Sequence, residues 1–89
     1  MKEKKVKIVN KLGLHARPAS LIVQAAMKFS SSINIIKDEA TIDAKSIMGI
    51  MMLAAACGTE LTVQANGVDE DAALNTLAEL FAGGFGEEI

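Results

Sequence analysis

Four short stretches of the chain alternate polar and apolar side chains, and this pattern limits the fold more than any other feature. They are Lys5-Val6-Lys7-Ile8, Ser32-Ile33-Asn34-Ile35, Ala40-Thr41-Ile42-Asp43 and Leu61-Thr62-Val63-Gln64-Ala65. Alternation with period two marks a strand with one covered and one wet face. Sheets of that kind are usually antiparallel. A turn around Asp38-Glu39 would join the second and third stretches into a hairpin. A one-sided sheet needs a cover, and the intervening segments can supply it. From Ala16 to Phe29, Ala19, Ile22, Val23, Ala26, Met27 and Phe29 share one side at helical spacing. Arg17, Gln24 and Lys28 lie opposite, with Leu21 among them. From Glu70 to Ala82, Leu74, Leu77, Ala78 and Phe81 form a second stripe, with Asp69 as expected N-cap and Gly83-Gly84 as expected stop. Ile47 to Leu53 is a short third segment, apolar all round. The order β-α-β-β-α-β-α predicts an α+β fold, a four-stranded antiparallel sheet with three helices on one face.

Eighty-nine residues allow one core, so residues 1–89 are read as one domain. A composition 51% hydrophobic and 22% charged fits such a core without staples. One cysteine, Cys57, makes no intrachain bridge, and with one histidine it makes a poor metal set, so no metal or cofactor is expected. Cys57 ends an alanine run and is placed in the core. Its unpaired thiol points to a reducing, cytoplasmic setting. Met1 leads into Lys2-Glu3-Lys4-Lys5, so no signal peptide is expected. The longest uncharged run, Ser46 to Thr59, falls short of the ~20 apolar residues that span a bilayer, which argues against membrane insertion. Residues 1–45 carry nine basic and four acidic side chains (+5), whereas residues 46–89 carry seven acids and no base (−7). The basic half does not read as a nucleic-acid surface. The chain has no Trp or Tyr and only three Phe to stack on bases.

The only histidine, the only arginine and the only proline stand together as His15-Ala16-Arg17-Pro18, where a loop enters the first helix. Proline suits a first helical turn, because N–H groups there lack intrahelical partners. His15 therefore falls at or beside the N-cap. The free N–H groups and the positive end of the helix dipole favour an anion such as phosphate. Arg17 adds a planar fork for phosphate oxygens. This chemistry reads as phosphoryl acceptance on a ring nitrogen. A histidine that merely caps a helix, beside a solvated arginine, explains the same residues, and chemistry alone leaves both readings open.

Gly13-Leu14-His15-Ala16-Arg17-Pro18-Ala19 resembles the active-site signature of the HPr family, the histidine-containing phosphocarriers of the bacterial phosphoenolpyruvate-dependent phosphotransferase system. Lys45-Ser46-Ile47-Met48-Gly49-Ile50-Met51 resembles that family's second signature at the expected distance. The likeness covers essentially the whole chain. It implies an open-faced β-sandwich and a monomer that is a carrier rather than an enzyme. Phosphate would ride on Nδ1 of His15, steadied by Arg17, with enzyme I as donor and enzyme IIA proteins as acceptors.

Ser46 is a good N-cap candidate on its own merits. The resemblance adds a second role, as the target of an HPr kinase/phosphorylase that signals to a catabolite-control transcription regulator. A short helix apolar on every side cannot bury everything against one sheet. Ile50 and Leu53 are expected inward, leaving Ile47, Met48 and Met51 as an exposed docking patch, extended toward the site by an exposed Leu21. The resemblance implies partner contacts at those three helical positions, although methionines in such stripes are often core filler. Leu12 departs from the small polar residue common in the family. The lead-in Asn10-Lys11-Leu12-Gly13 and the tail Leu80-Phe81 to Gly84-Phe85 look closer to the nitrogen-related branch, and Lys45 to Met51 to the kinase-regulated sugar branch. Either branch remains open, as does a small α+β module that binds a metabolite or RNA and uses His15 only as a cap.

Overall fold

The computed structural model describes residues 1–89. The alternating stretches become β1 (Lys2–Lys7), β2 (Ser32–Lys37), β3 (Ala40–Asp43) and β4 (Glu60–Asn66). The helical segments become α1 (Ala16–Ala26), α2 (Ile47–Met52) and α3 (Glu70–Ala82). Element order and fold class are as the sequence predicts, and a 3-10 turn at Gly84–Gly86 is added after α3. All pairings are antiparallel, in the order β1-β4-β2-β3. Ile33 pairs with Ala65 and Ile35 with Val63, so apolar side chains adjoin across β2 and β4. These residues and Leu61 are buried, whereas Asn34, Thr62 and Gln64 on the alternate positions are only half-buried. Twenty buried apolar residues form one cluster, with Ile22 of α1, Ile50 of α2, and Leu77 and Phe81 of α3 meeting the strands. Each such side chain contributes about 1.5–3 kcal/mol by leaving water.

The differences from the sequence reading have local causes. The first strand begins at Lys2, not Lys5, and Ile8 lies just past it, still buried and donating its N–H to the Thr59 carbonyl at 2.9 Å. Lys2 and Lys4 take the helix-facing positions there, reaching Asp71 at 2.8 Å and Asn75 at 3.5 Å on α3. Their aliphatic stems stand in for the apolar residues that periodicity requires. Helix α1 stops at Ala26, and Met27, expected in its buried stripe, is the exposed C-cap. In α3, Ala73 is buried and Ala78 only half so. Cys57 is exposed, not core, because its run is a surface turn with Ala54 (φ 49) and Gly58 (φ 93) in left-handed conformations; only Ala55 is buried. Leu21 is half-buried against the core rather than exposed.

Asp69 occupies the N-cap of α3 but does not cap it. Its carboxylate accepts instead from the backbone N–H groups of Ser30 and Ser31, each at 2.9 Å, and from both serine hydroxyls. The Ser31 hydroxyl bond, followed by the Ser30 backbone bond, holds its pKa down at about 2. The start of α3 is thereby tied to the α1–β2 connection.

Candidate functional site

The loop ahead of α1 is shaped by two residues. Gly13 has φ +71, and a Cβ there would lie 2.6 Å from the Ala55 carbonyl oxygen, so only glycine fits. Leu14 donates its N–H to that same carbonyl at 2.9 Å. Asn10, fully buried, spans the loop from within: its Nδ2 donates to the Gly13 carbonyl at 2.8 Å, and its backbone carbonyl accepts the Gly13 N–H at 3.2 Å. His15 is therefore delivered to the N-cap of α1 in extended conformation.

As a cap, His15 is incomplete. Its backbone carbonyl accepts the Ala19 N–H at 3.1 Å, but its side chain makes no capping bond. The N–H groups of Ala16 and Arg17 have no partner in the chain, and Pro18 has no N–H. Two free donors thus sit at the positive end of an 11-residue helix. Arg17 is exposed and forms no ion pair.

The ring of His15 is held from the opposite end of the chain. Its Nε2 lies 2.9 Å from Oε1 and 2.8 Å from Oε2 of Glu87, and the two side chains are 37% and 13% exposed. Asn10 Nδ2 also donates to Glu87 Oε1 at 3.0 Å. The bond to His15 does most to lower the Glu87 pKa, with Asn10 and the charge of Arg17 adding to it and partial burial opposing it. Nδ1 of His15 makes no bond within the chain. The segment carrying Glu87 is anchored on both sides. Phe85 packs edge-on against Phe81 with ring centroids 5.0 Å apart, and Lys11 binds Glu88 through backbone (3.0 Å) and side chain (3.1 Å). Phe85 has φ 58 in reaching that pocket. Such a conformation costs about 1–2 kcal/mol for a non-glycine residue, which burial of the ring offsets.

At the second motif, Ser46 is the N-cap of α2, and its Oγ accepts the Gly49 N–H at 3.1 Å. Ile50 and Leu53 point inward at 0% and 5% exposure, while Ile47 (42%), Met48 (73%) and Met51 (43%) are open to solvent, as is Met52. Leu21, expected to extend this patch, instead lines a shallow groove between α1 and α3 with Gln24, Lys28 and Leu80. The sequence singles out His15, Arg17 and Ser46 as candidates but not Glu87, which meets the His15 ring, or Asn10, which holds the loop. The glycine-flanked Phe85 was the available signal, since an aromatic set between glycines after a helix marks a chain turning back to bury it.

None of the hollows on the surface is lined by His15 or Arg17. No group of three metal-binding side chains exists, and no helix is long and apolar enough to cross a membrane. An open site with a free ring nitrogen and unpaired donors suits a group presented by another macromolecule better than a small molecule, which needs enclosure.

Residues 2–83 match the family model described as the PTS HPr component phosphorylation site. The chain is 51% identical over 85 residues to the phosphocarrier protein HPr of Treponema pallidum, covering 96% of this chain and 97% of that one. The crystal structure of an HPr from Thermoanaerobacter tengcongensis superposes with a TM-score of 0.95 at 50% identity, covering all of both chains. Crh, the catabolite repression HPr of Bacillus subtilis, has a solution structure with a TM-score of 0.67 at 48% identity, covering 90% of this chain and 95% of that one.

Proposed function

The chain belongs to the HPr family of phosphotransferase-system phosphocarriers, and on that premise we propose that it accepts a phosphoryl group from phospho-enzyme I on Nδ1 of His15 and passes it to enzyme IIA proteins. One observation carries this reading: the single histidine stands at an uncapped helix start with Nδ1 unpartnered and two free N–H groups beside it. Arg17 takes phosphate oxygens with its fork. Transfer proceeds through a loose, charge-spread transition state, so donors and a cation held in place are what the protein has to supply. HPr phosphocarriers carry phosphate rather than turn substrate over, and no resident cofactor is needed here. In this reading the protein works as a one-domain cytoplasmic monomer. The test is incubation with enzyme I and labelled phosphoenolpyruvate. Acid-labile, base-stable label on one residue is expected, and label retained in His15→Ala would show that the nucleophile lies elsewhere.

A regulatory role beside the carrier role is supported by the second motif. Ser46 stands next to the exposed Ile47, Met48 and Met51, in the half of the chain that carries −7. Phosphate on Ser46, added by an HPr kinase/phosphorylase, would place roughly two more negative charges beside that patch. It would repel an acidic partner and attract one that offers Arg or Lys, such as a catabolite-control transcription regulator. Leu21 contributes from its groove. Ser46→Asp tests this: enzyme I kinetics should be slower and more salt-sensitive than wild type, and identical kinetics at low and high ionic strength would leave Ser46 a helix cap.

A further inference from the structure

Glu87 stands out because it is a largely enclosed carboxylate whose two partners, Asn10 and His15, lie 77 and 72 residues away in sequence. A solvated carboxylate beyond the last helix needs no such arrangement. The segment that carries it is built with care: a left-handed Phe85 with its ring buried, and a two-point attachment of Glu88 to Lys11. These contacts hold one carboxylate, and both of its oxygens lie against Nε2 of His15.

We propose that Glu87 is a positioning residue for phosphoryl transfer, pinning the His15 ring through Nε2–H so that Nδ1 is the nucleophile, and neutralising the charge the ring acquires. The inference rests on the carrier reading above. A carboxylate accepts only, so Nε2 carries the proton and Nδ1 keeps its lone pair. In the transfer step that pair forms the N–P bond while the donor's bond to phosphorus breaks, its electrons leaving with the donor. The Nε2 proton stays where it is, and the ring becomes a phospho-imidazolium. Its positive charge then faces the Glu87 carboxylate at 2.8–2.9 Å. A carboxylate that orients an imidazole and stabilises the imidazolium without taking its proton plays this part in serine hydrolases. Asn10 fixes the carboxylate from behind, and the charge of Arg17 also acts on it.

Two substitutions separate orientation from charge. Glu87→Gln keeps an acceptor for Nε2–H but no charge, and Glu87→Ala removes both. Phe85 and Glu88 still anchor the segment in either variant, which thermal melting would verify. Nitrogen-15 spectra of the His15 ring and initial rates of phosphoryl uptake from enzyme I are to be measured side by side. In Glu87→Gln the ring signal should stay with the Nε2–H form, with a partial loss of rate. Glu87→Ala should shift the ring signals toward a tautomer mixture and slow uptake about tenfold, as loss of one charge-assisted bond would. Wild-type ring spectra in Glu87→Ala, or shifted spectra with a wild-type rate, would overturn the role of Glu87 while leaving the carrier intact. A wild-type protein that takes no label would overturn the carrier reading and this inference with it.

Discussion

Helices α1 and α2 start from the same kind of backbone and end up with opposite chemistry. Both N-caps are extended, at φ −84, ψ −170 for His15 and φ −120, ψ 112 for Ser46. Ser46 turns its hydroxyl back onto the Gly49 N–H and closes its own helix. His15 turns its ring away to Glu87 and leaves the donors of Ala16 and Arg17 free. A side chain that satisfies its helix is unavailable to a ligand, and one held elsewhere leaves the helix end ready for an anion. The difference is therefore between a start whose donors are closed by its own cap and one whose donors are left free.

The largest effect should come from breaking the open start. His15→Ala should abolish phosphoryl acceptance while costing about 1 kcal/mol of stability, because the bond to Glu87 is lost but no capping bond is. Label counts and thermal melting check the two halves. A loss well beyond that, persisting in the Glu87→Ala background where the bond is already absent, would mean that the ring does cap α1 in solution. Arg17→Lys should follow, with transfer slowed on the order of tenfold and melting unchanged, since a point charge replaces a two-pronged donor. Wild-type rates would mean the guanidinium takes no part. The closed start should respond the other way round. Ser46→Ala should cost about 1 kcal/mol, or roughly 4–8 °C in Tm, with little change in His15 phosphorylation. Ser46→Asp should keep the cap and hold or raise Tm slightly. An alanine variant that melts like wild type would erase the contrast between the helices.

The smallest effect is on acid stability. Glu87 and Asp69 both have lowered pKa values, Glu87 chiefly through His15 and Asp69, at about 2, chiefly through Ser31. Each binds its proton less readily when folded than when unfolded. Their contributions are thus complete above the ordinary carboxylate range and fade as pH falls, for Asp69 from about 4 toward 2. The hydroxyl cap of Ser46 does not titrate. Acid denaturation midpoints of Asp69→Asn and Ser46→Ala should show this, with a flatter pH dependence in the first and an unchanged one in the second. Equal slopes in wild type and Asp69→Asn would remove Asp69 from the account.

Much of the fold was legible because strands and helices advertise themselves through local periods, and β2, β3, β4, α2 and α3 fall close to where those periods place them. β1 was misplaced because lysine stems occupy apolar positions. Cys57 was misplaced because an alanine run carries no period from which to tell a turn from a core segment. The candidate site divides along the same line. His15, Arg17 and Ser46 announce themselves beside helix starts, where residue type and position speak together. Glu87 and Asn10 do not, since an acidic pair in a tail and an asparagine in a loop look like solvated residues. Only the tertiary fold brings them together.

The strand order has a consequence for how the molecule comes into being. The β2–β3 hairpin closes over a two-residue turn, with Lys37 opposite Ala40, and is available early in folding. β1 has no such neighbour: Lys2 waits for Ala65 and Lys7 for Glu60, across loops whose closure must precede any gain from pairing. During synthesis both β1 and β2 remain unpaired edges on the side that β4 will fill, and the His15 loop remains without its Ala55 and Glu87 supports. A growing chain therefore has its histidine long before it has its site. Capacity for phosphate should rise when β4 slots between its neighbours and reach its full rate only once α3 has packed and the segment carrying Glu87 has returned to His15.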